Sequence, residues 1–246
     1  MGNVGAPAAD AAPVERSLRR GAAVADVLLT VLVSGLLYAA ELGLRRLGVL
    51  PESGLYTGVI TLVGTFLFVI WLVRWRGEGL AALGLRSPPT WWFVPAWGFF
   101  VLGVNVALQL TVVPALGAFL GLPAADVSQY AVLRGNLPLF LAVAAGAMFT
   151  GGFIEEVVYR GLMLDRLARL FGGGRRGRLL GALACGVPFG LVHYEWGMGG
   201  ILLTAVMGST QGLMFLATRR NLWPLVVAHA GLDLILLVYA YLGMLG

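Results

Sequence analysis

Two adjacent carboxylates and an arginine interrupt an apolar stretch in the second half of the chain, at Glu155, Glu156 and Arg160. In a membrane-spanning helix, each such charge costs about 2.5–3.5 kcal/mol near the bilayer centre unless it finds a partner. Glu156 and Arg160 are four residues apart, a spacing that predicts an ion pair on one helix face. Glu155 points about 100° away from Glu156 on an α-helix, so it is left free for other chemistry.

The two histidines of the chain also lie in apolar runs. His193 follows Phe189 by one helical turn, and Asp233 follows His229 by the same distance. A lone histidine within a membrane usually hydrogen-bonds to a neighbouring helix, and a carboxylate–arginine pair can serve helix packing alone. Packing explains the ion pair but not the second carboxylate beside it, so the structural and the catalytic interpretation both stay open at this point.

The composition decides which elements must position these residues. Of 246 residues, 59% are hydrophobic and 12% are charged, and the mean hydropathy is +0.88. A soluble domain carries about 25% charged residues. The numbers exclude a soluble enzyme, a nucleic-acid-binding module and a disordered chain. They predict an all-α, polytopic transmembrane helical bundle of seven to eight spans, each of about 20 residues.

Apolar runs and their breaks divide the chain into a disordered tail over residues 1–20 and a single transmembrane domain over 21–246. Residues 114–137 are predicted as a loop with an interfacial helix, or as a poorly marked eighth span. The single cysteine, Cys185, lies in an apolar run, which excludes an intramolecular disulfide. The predicted spans are residues 22–44, 55–73, 91–113, 138–165, 179–195, 200–217 and 222–243.

The basic residues of the chain are 17 arginines, and they predict its orientation. With the N-terminus in the cytoplasm, the opposite side holds only Arg45, Arg46 and Arg134, and Arg160 lies within a helix, as the positive-inside rule favours. The absence of lysine indicates a high-GC bacterial genome and therefore the bacterial inner membrane. The predicted cytoplasmic segments hold the other 13, which are Arg16, Arg19, Arg20, Arg74, Arg76, Arg86, Arg166, Arg169, Arg175, Arg176, Arg178, Arg219 and Arg220.

Depth in the bilayer indicates that the polar residues meet. At a rise of about 1.5 Å per residue, Glu155 and Glu156 lie roughly 16 Å from the cytoplasmic ends of their helix. The corresponding depths are roughly 21 Å for His193, 12 Å for His229 and 18 Å for Asp233. These values cluster near the middle of a hydrocarbon layer about 30 Å thick. Three separate helices therefore offer one polar cluster.

Two chemistries fit such a cluster. Glu155, His193 and His229 are of the residue types that bind zinc, so a divalent metal such as zinc is one alternative. The other is metal-free activation of water, with a carboxylate as general base and an imidazole as donor to an oxyanion. The chain has no HExxH helix, and Arg160 already supplies positive charge, so the metal-free chemistry is favoured. The three motifs contain no serine or cysteine, which argues against a covalent acyl intermediate.

The three motifs in this order resemble the CPBP family, which groups CAAX prenyl endopeptidases with bacteriocin-processing enzymes. The family is also called Abi or glutamic-type intramembrane protease. The resemblance covers about residues 80–243 and includes the flanking stretches 83–86 (LGLR) and 218–224 (TRRNLWP). The motifs that carry it are Glu155-Glu156-x-x-x-Arg160, Phe189-x-x-x-His193 and His229-x-x-x-Asp233.

The resemblance implies a polytopic intramembrane endopeptidase. It implies that Glu155 activates the water that His193 positions, and that Glu156 and Arg160 hold the shape and charge balance of the site. It also implies that His229 and the residue at position 233 stabilise the oxyanion. Phe189 and Tyr159 are expected to shape the site or contact the substrate.

Asp233 departs from the family pattern, because the eukaryotic CAAX enzymes carry asparagine there. An ionised aspartate cannot donate to an oxyanion, so Asp233 either stays protonated or orients His229 by accepting its N–H. The expected partners are the lipid bilayer and a membrane-embedded or membrane-anchored peptide or protein, without a prenyl group, and not nucleic acid. A different class of function stays open: a proton-linked transporter or a bacteriocin-immunity factor that uses the cluster structurally.

Overall fold

The computed structural model describes residues 11–51 and 58–245, and the regular structure within these ranges is helical. It confirms the prediction of an all-α bundle. Short 3₁₀ helices at Leu80–Leu83, Ser128–Leu133 and Tyr194–Trp196 lie in the connections. The long helices are α1 (Ala11–Arg46), α2 (Val59–Trp75), α3 (Phe93–Leu120), α4 (Leu137–Leu170), α5 (Gly174–Leu191), α6 (Gly197–Ala217) and α7 (Trp223–Tyr241).

The helices have the length and composition of membrane spans. Within residues 11–51 and 58–245, five apolar helical stretches are long enough to cross a bilayer: four lie in α1, α3, α4 and α7, and the fifth comprises the Tyr194–Trp196 turn and α6. Helix α2 is apolar and slightly shorter, at 17 residues. Large apolar side chains such as Leu28, Leu36 and Phe99 are exposed on the outside of the bundle, where a bilayer would cover them. The chain is therefore an integral membrane protein.

Most predicted spans agree with a helix to within a few residues, and two boundaries differ. Helix α1 begins at Ala11, so residues 11–20, predicted as part of a disordered tail, are helical; their Ala, Leu and Arg residues favour that. Residues 1–10 lie outside the described residues, as does residue 55, the predicted start of the second span. After a break at Thr111, α3 continues only to Leu120, so residues 114–137 form no additional span.

Helix α4 occupies the centre of the bundle and carries the acidic motif. Its flanks are α-helical, but Met148–Met163 has the wider hydrogen bonding of a π-helix. Residues 154–163 are all buried, against α2, α5 and α7. Buried Val69 and Leu72 of α2, Val157 of α4 and Leu225 of α7 belong to one apolar cluster. A helix surrounded in this way cannot place a polar side chain in solvent, so its charges must pair within the protein.

An ion-pair cluster closes one end of the bundle and ties α1 to α4. Arg166 is 2% exposed, and its guanidinium donates to Asp26 at 2.8 Å, to Glu78 at 3.0 Å and to Asp165 at 2.8 Å. Three more arginines complete the cluster. They pair with Asp26, Glu78 or Asp165 and are Arg76, Arg169 and Arg220.

We expect Arg166→Ala to lower the stability of the protein in detergent by about 3 kcal/mol, within the range measured when one partner of a buried ion pair is removed. The loss stays at the low end because Arg76 still neutralises Asp26. Thermal unfolding followed by circular dichroism measures it. Arg178→Ala, an exposed position on α5, serves as the control and is expected to leave the transition unchanged. Equal melting temperatures for the two variants would contradict a stabilising role of the ion-pair cluster around Arg166.

Candidate active site

Three helices bring four of the predicted site residues to one cavity of about 290 Å³. Glu155 comes from the π-helical part of α4, and His193 from the turn that follows α5. His229 and Asp233 come from α7. All four side chains line the cavity, so the convergence expected from their depths is present in the structure. Their catalytic roles remain predictions.

Beneath the cavity, the carboxylate of Glu156 joins α4 to α7. Its Oε1 accepts a hydrogen bond from Arg160 Nη1 at 2.8 Å and another from His229 Nδ1 at 2.7 Å. Glu156 and Arg160 are fully buried, and His229 is 3% exposed. The i, i+4 ion pair predicted from the sequence is therefore formed. The hydrogen bond from His229 Nδ1 to Glu156 also fixes the orientation of the His229 ring. The residue that orients this ring is therefore Glu156 and not Asp233.

The other nitrogen of His229 faces the two remaining carboxylates. Its Nε2 lies 3.8 Å from Glu155 Oε2 and 3.8 Å from Asp233 Oδ1. These separations are too long for direct hydrogen bonds. Because Glu156 accepts the hydrogen bond from Nδ1, the Nε2 atom is available to form a hydrogen bond with a molecule that enters the cavity. Glu155 and Asp233 flank that position on two sides.

His193 presents a hydrogen-bond acceptor to the cavity. The predicted span over residues 179–195 contains His193, but helix α5 ends at Leu191. His193 therefore lies just past the helix, in the turn before Tyr194–Trp196. Its Nδ1 lies 2.8 Å from the carbonyl oxygen of Phe189. A carbonyl only accepts, so Nδ1 carries the proton and Nε2 keeps its lone pair. The ring of Trp196 packs against the imidazole, with centroids 5.2 Å apart.

Phe189 and Tyr159 support the site from behind. The Phe189 ring is 1% exposed and packs against His193 and His229, with centroids 4.9 and 5.9 Å apart. The guanidinium of Arg160 lies 4.3 Å from its centre, and the Tyr159 ring meets it edge-on at 5.0 Å. Neither side chain lines the cavity. Of the two expected roles, shaping the site fits this placement and substrate contact does not.

A close approach of α4 and α7 depends on a glycine that the sequence analysis did not single out. A Cβ at Gly151 would lie 2.5 Å from Asp233 Oδ2, which is closer than van der Waals contact allows. At the next position, a Cβ at Gly152 would lie 2.9 Å from Ala230 Cβ. The pair Gly151-Gly152, four and three residues before Glu155, is the signal that could have identified this contact.

The cavity walls also contain side chains that no motif marked. Tyr38 of α1 reaches the hydroxyl of Tyr194 and forms a hydrogen bond with it. Tyr130 enters from the connection between α3 and α4, outside the spans. Burial raises the pKa of Tyr130 to about 12, so its phenol keeps its proton and can donate to a ligand in the cavity. Isolated aromatic residues in a membrane protein carry no pattern that distinguishes them from packing residues.

The hydroxyl groups of the cavity threonines are engaged elsewhere. Thr61 Oγ1 donates to Glu41 at 2.9 Å, and Thr150 Oγ1 donates to the carbonyl of Gly146 at 2.9 Å. Cys185 is buried and donates to the carbonyl of Tyr159, away from the cavity. Thr150 and Cys185 therefore donate to carbonyl groups, which do not act as bases, and the Glu41 carboxylate beside Thr61 already accepts from Arg45 and from two backbone N–H groups. Water is the nucleophile that the arrangement favours.

The fit of the site to a metal is poor. Within the described ranges, no three His, Cys, Asp or Glu side chains stand in an arrangement that could hold a metal ion. Glu156 occupies Nδ1 of His229, and Nε2 of that ring lies 3.8 Å from Glu155. The alternative set of Glu155, His193 and His229 therefore does not form a zinc-binding geometry.

The part of the chain that holds the site is similar to a known protein family. Residues 137–235 match the family described as Rce1-like, type II CAAX prenyl endopeptidase. The matched stretch begins with α4, ends within α7 and contains all three motifs, and the match confirms the family predicted from the sequence. No curated protein and no solved structure matches the chain.

We expect Glu156→Gln and Glu155→Gln to differ sharply in stability, although the two substitutions are chemically identical and adjacent. Glu156→Gln removes the charge that pairs with buried Arg160 and is expected to cost about 3–5 kcal/mol. Glu155 lines a cavity and pairs with no cation at hydrogen-bonding distance, so Glu155→Gln is expected to leave thermal unfolding nearly unchanged. Differential scanning fluorimetry in detergent measures both. Equal destabilisation by the two variants would contradict the view that Glu156 stabilises the fold through its ion pair while Glu155 does not.

Proposed function

Because residues 137–235 match the Rce1-like family of type II CAAX prenyl endopeptidases, we propose that this integral membrane protein is an endopeptidase in which Glu155 activates water. The observation that carries the proposal is the shared cavity of Glu155, His193 and His229. The geometry provides a base, an acceptor that orients water and a donor at three sides of one small polar space.

In the first step, the Glu155 carboxylate takes a proton from a water molecule whose other hydrogen is held by Nε2 of His193. The water oxygen forms a bond to the carbonyl carbon of the scissile peptide, and the carbonyl π electrons move onto its oxygen. Proton transfer of this kind contributes about 10²–10⁴-fold to a rate. The hydrogen bond from His193 Nδ1 to the Phe189 carbonyl keeps the ring in the required orientation.

In the second step, His229 acts as a doubly protonated imidazolium: its Nδ1–H stays hydrogen-bonded to Glu156, and its Nε2–H donates to the oxyanion. Glu156 and Arg160 hold that ring from below, so the donor is in place before the charge develops. When the tetrahedral intermediate collapses, the C–N bond breaks and the proton on Glu155 passes to the leaving amine. The immediate products are a carboxylic acid and an amine; the acid then passes its proton to the amine, which gives a carboxylate and an ammonium group, and the enzyme returns to its starting protonation.

Asp233 receives a supporting role. Since Glu156 already orients the His229 ring, the aspartate is not needed for that purpose. Its Oδ1 lies 3.8 Å from His229 Nε2 and its side chain is 26% exposed, so it can accept a hydrogen bond from a substrate N–H or balance the charge of the imidazole. An acceptor at this position explains how the site functions with aspartate in place of asparagine.

The setting that we propose is the bacterial inner membrane, with the N-terminus in the cytoplasm. The substrate is a membrane-embedded or membrane-anchored peptide or protein. The lysine-free sequence supports a bacterial origin, where a prenylated substrate is not expected. The cavity lies between helices that cross the bilayer, and Ala142 and Gly146 on its wall are exposed. A substrate held in the bilayer can therefore approach laterally.

We expect Glu155→Gln to reduce peptide cleavage by about 10²–10⁴-fold, because glutamine cannot accept a proton from water. Comparing the termini of membrane proteins by mass spectrometry in cells that express the wild type or the variant identifies the substrate, and purified components then give the rate. Asp126→Asn, an exposed acid on the same side of the bundle but outside the cavity, is the matched control and is expected to keep the wild-type rate.

Retained cleavage in Glu155→Gln would refute the mechanism. The non-catalytic alternative, a proton-linked transporter or an immunity factor, makes a different prediction: no terminus changes in either variant, while transport or immunity depends on Glu155. The same pair of variants therefore separates the two classes of function.

Chelation tests the metal alternative. We expect cleavage by the purified enzyme to be unchanged after prolonged treatment with 1,10-phenanthroline, since Glu156 already engages one nitrogen of His229 and Arg160 supplies the local positive charge. The measurement is the initial rate before and after removal of the chelator by dialysis. Loss of activity that zinc restores would favour the metal mechanism.

A further inference from the structure

The two ends of the helical bundle differ in charge. At the first end lie the starts of α1, α3, α5 and α7 and the ends of α2, α4 and α6; its segments carry 13 of the 17 arginines. We call it the arginine-rich end, and it includes the ion-pair cluster around Arg166. The opposite, arginine-poor end carries Arg45, Arg46 and Arg134. Arginine-rich segments stay on the cytoplasmic side of a bacterial membrane.

The cavity extends from the catalytic residues toward the arginine-poor end. Its wall contains Tyr38 near the end of α1, Val59 at the start of α2 and Leu237 near the end of α7. It also contains Gln129 and Tyr130 from the α3–α4 connection and Val192–Trp196 after α5. All of these lie in the half of the bundle away from the Arg166 cluster. Val59, Tyr194 and Glu195 are exposed, so the cavity reaches the surface there.

In the opposite direction the bundle is closed. Below Glu155, the buried side chains Val157, Leu162 and Leu164 fill the space between α4 and its neighbours. The ion-pair cluster lies beyond them and joins α1, α4 and the α2–α3 and α6–α7 connections. Among the described residues, the lining of the cavity includes none from this end.

We infer that the site takes its substrate from the extracytoplasmic side of the membrane. The inference rests on the proposed function and names its substrate class: a polypeptide segment whose scissile bond has already crossed the membrane or entered its outer half. The reaction that supplies such a substrate is protein translocation or membrane insertion. A protein whose cleavage site stays at the cytoplasmic surface, such as one lipidated at a cytoplasmic C-terminus, would meet the closed end of the bundle.

Cysteine labelling in intact cells tests the direction in which the cavity opens. Ser87→Cys and Ser128→Cys are matched substitutions at exposed positions, the first at the arginine-rich end and the second beside the cavity mouth. Thr150→Cys places a thiol in the cavity, one turn above Glu155. Cys185 is buried, so the parent protein serves as the blank. The probe is a membrane-impermeant maleimide, applied to spheroplasts before and after permeabilisation.

The expected result is labelling of Ser128→Cys and, more slowly, of Thr150→Cys in intact spheroplasts, at least tenfold faster than of Ser87→Cys. Permeabilisation should then make Ser87→Cys reactive. The reverse order, with Thr150→Cys reactive only after permeabilisation, would overturn the inference. Labelling does not depend on proteolysis, so its outcome is separate from that of Glu155→Gln: reversed labelling with Glu155-dependent cleavage would refute the direction of access and leave the proposed function intact.

Discussion

The carboxylate of Glu156 is the interaction on which the rest of the site depends. It is fully buried in an apolar bundle, where an unpaired charge would be prohibitive, and it accepts hydrogen bonds from Arg160 and from His229. One oxygen atom thereby connects α4 to α7 and fixes an imidazole. The need to neutralise a buried charge explains both the arginine one turn later and the histidine on a distant helix. The Phe189 ring packs against the Arg160 guanidinium and against the His193 ring, so it also helps to hold His193 in place.

With the charge of Glu156 neutralised by Arg160, the adjacent carboxylate is free for chemistry. Glu155 faces the cavity, and its nearest cationic group is Nε2 of His229, at 3.8 Å. The two neighbouring glutamates thus have different environments. Glu156 is hydrogen-bonded to Arg160 and to the His229 ring, whereas Glu155 faces a space that a water molecule and a peptide can share. Burial and contacts alone therefore support the proposed division, in which Glu156 is structural and Glu155 transfers the proton.

The sequence was sufficient for the helices and for the convergence of Glu155, His193 and His229 on one cavity, because apolar runs and misplaced charges are strong signals in a membrane protein. Depth alone brought Glu155, His193 and His229 together. It could not show which partner orients His229, because side-chain direction depends on the π-helical part of α4, and no periodicity marks that segment. Tyr38 and Tyr130 were missed because single aromatics resemble packing residues. The catalytic roles remain predictions, since geometry shows what a side chain can reach and not what it does.

The central claim is that Glu155 passes a proton and forms no bond to the substrate. Cleavage in ¹⁸O-labelled water, followed by mass spectrometry of the product and of the enzyme peptide that contains Glu155, tests it most directly. A base mechanism places one ¹⁸O in the new C-terminal carboxylate of the product and leaves the Glu155 carboxylate unlabelled after many turnovers. If Glu155 instead attacked the peptide, an anhydride would form, and its hydrolysis would introduce ¹⁸O into the glutamate. Label in Glu155 would contradict the account.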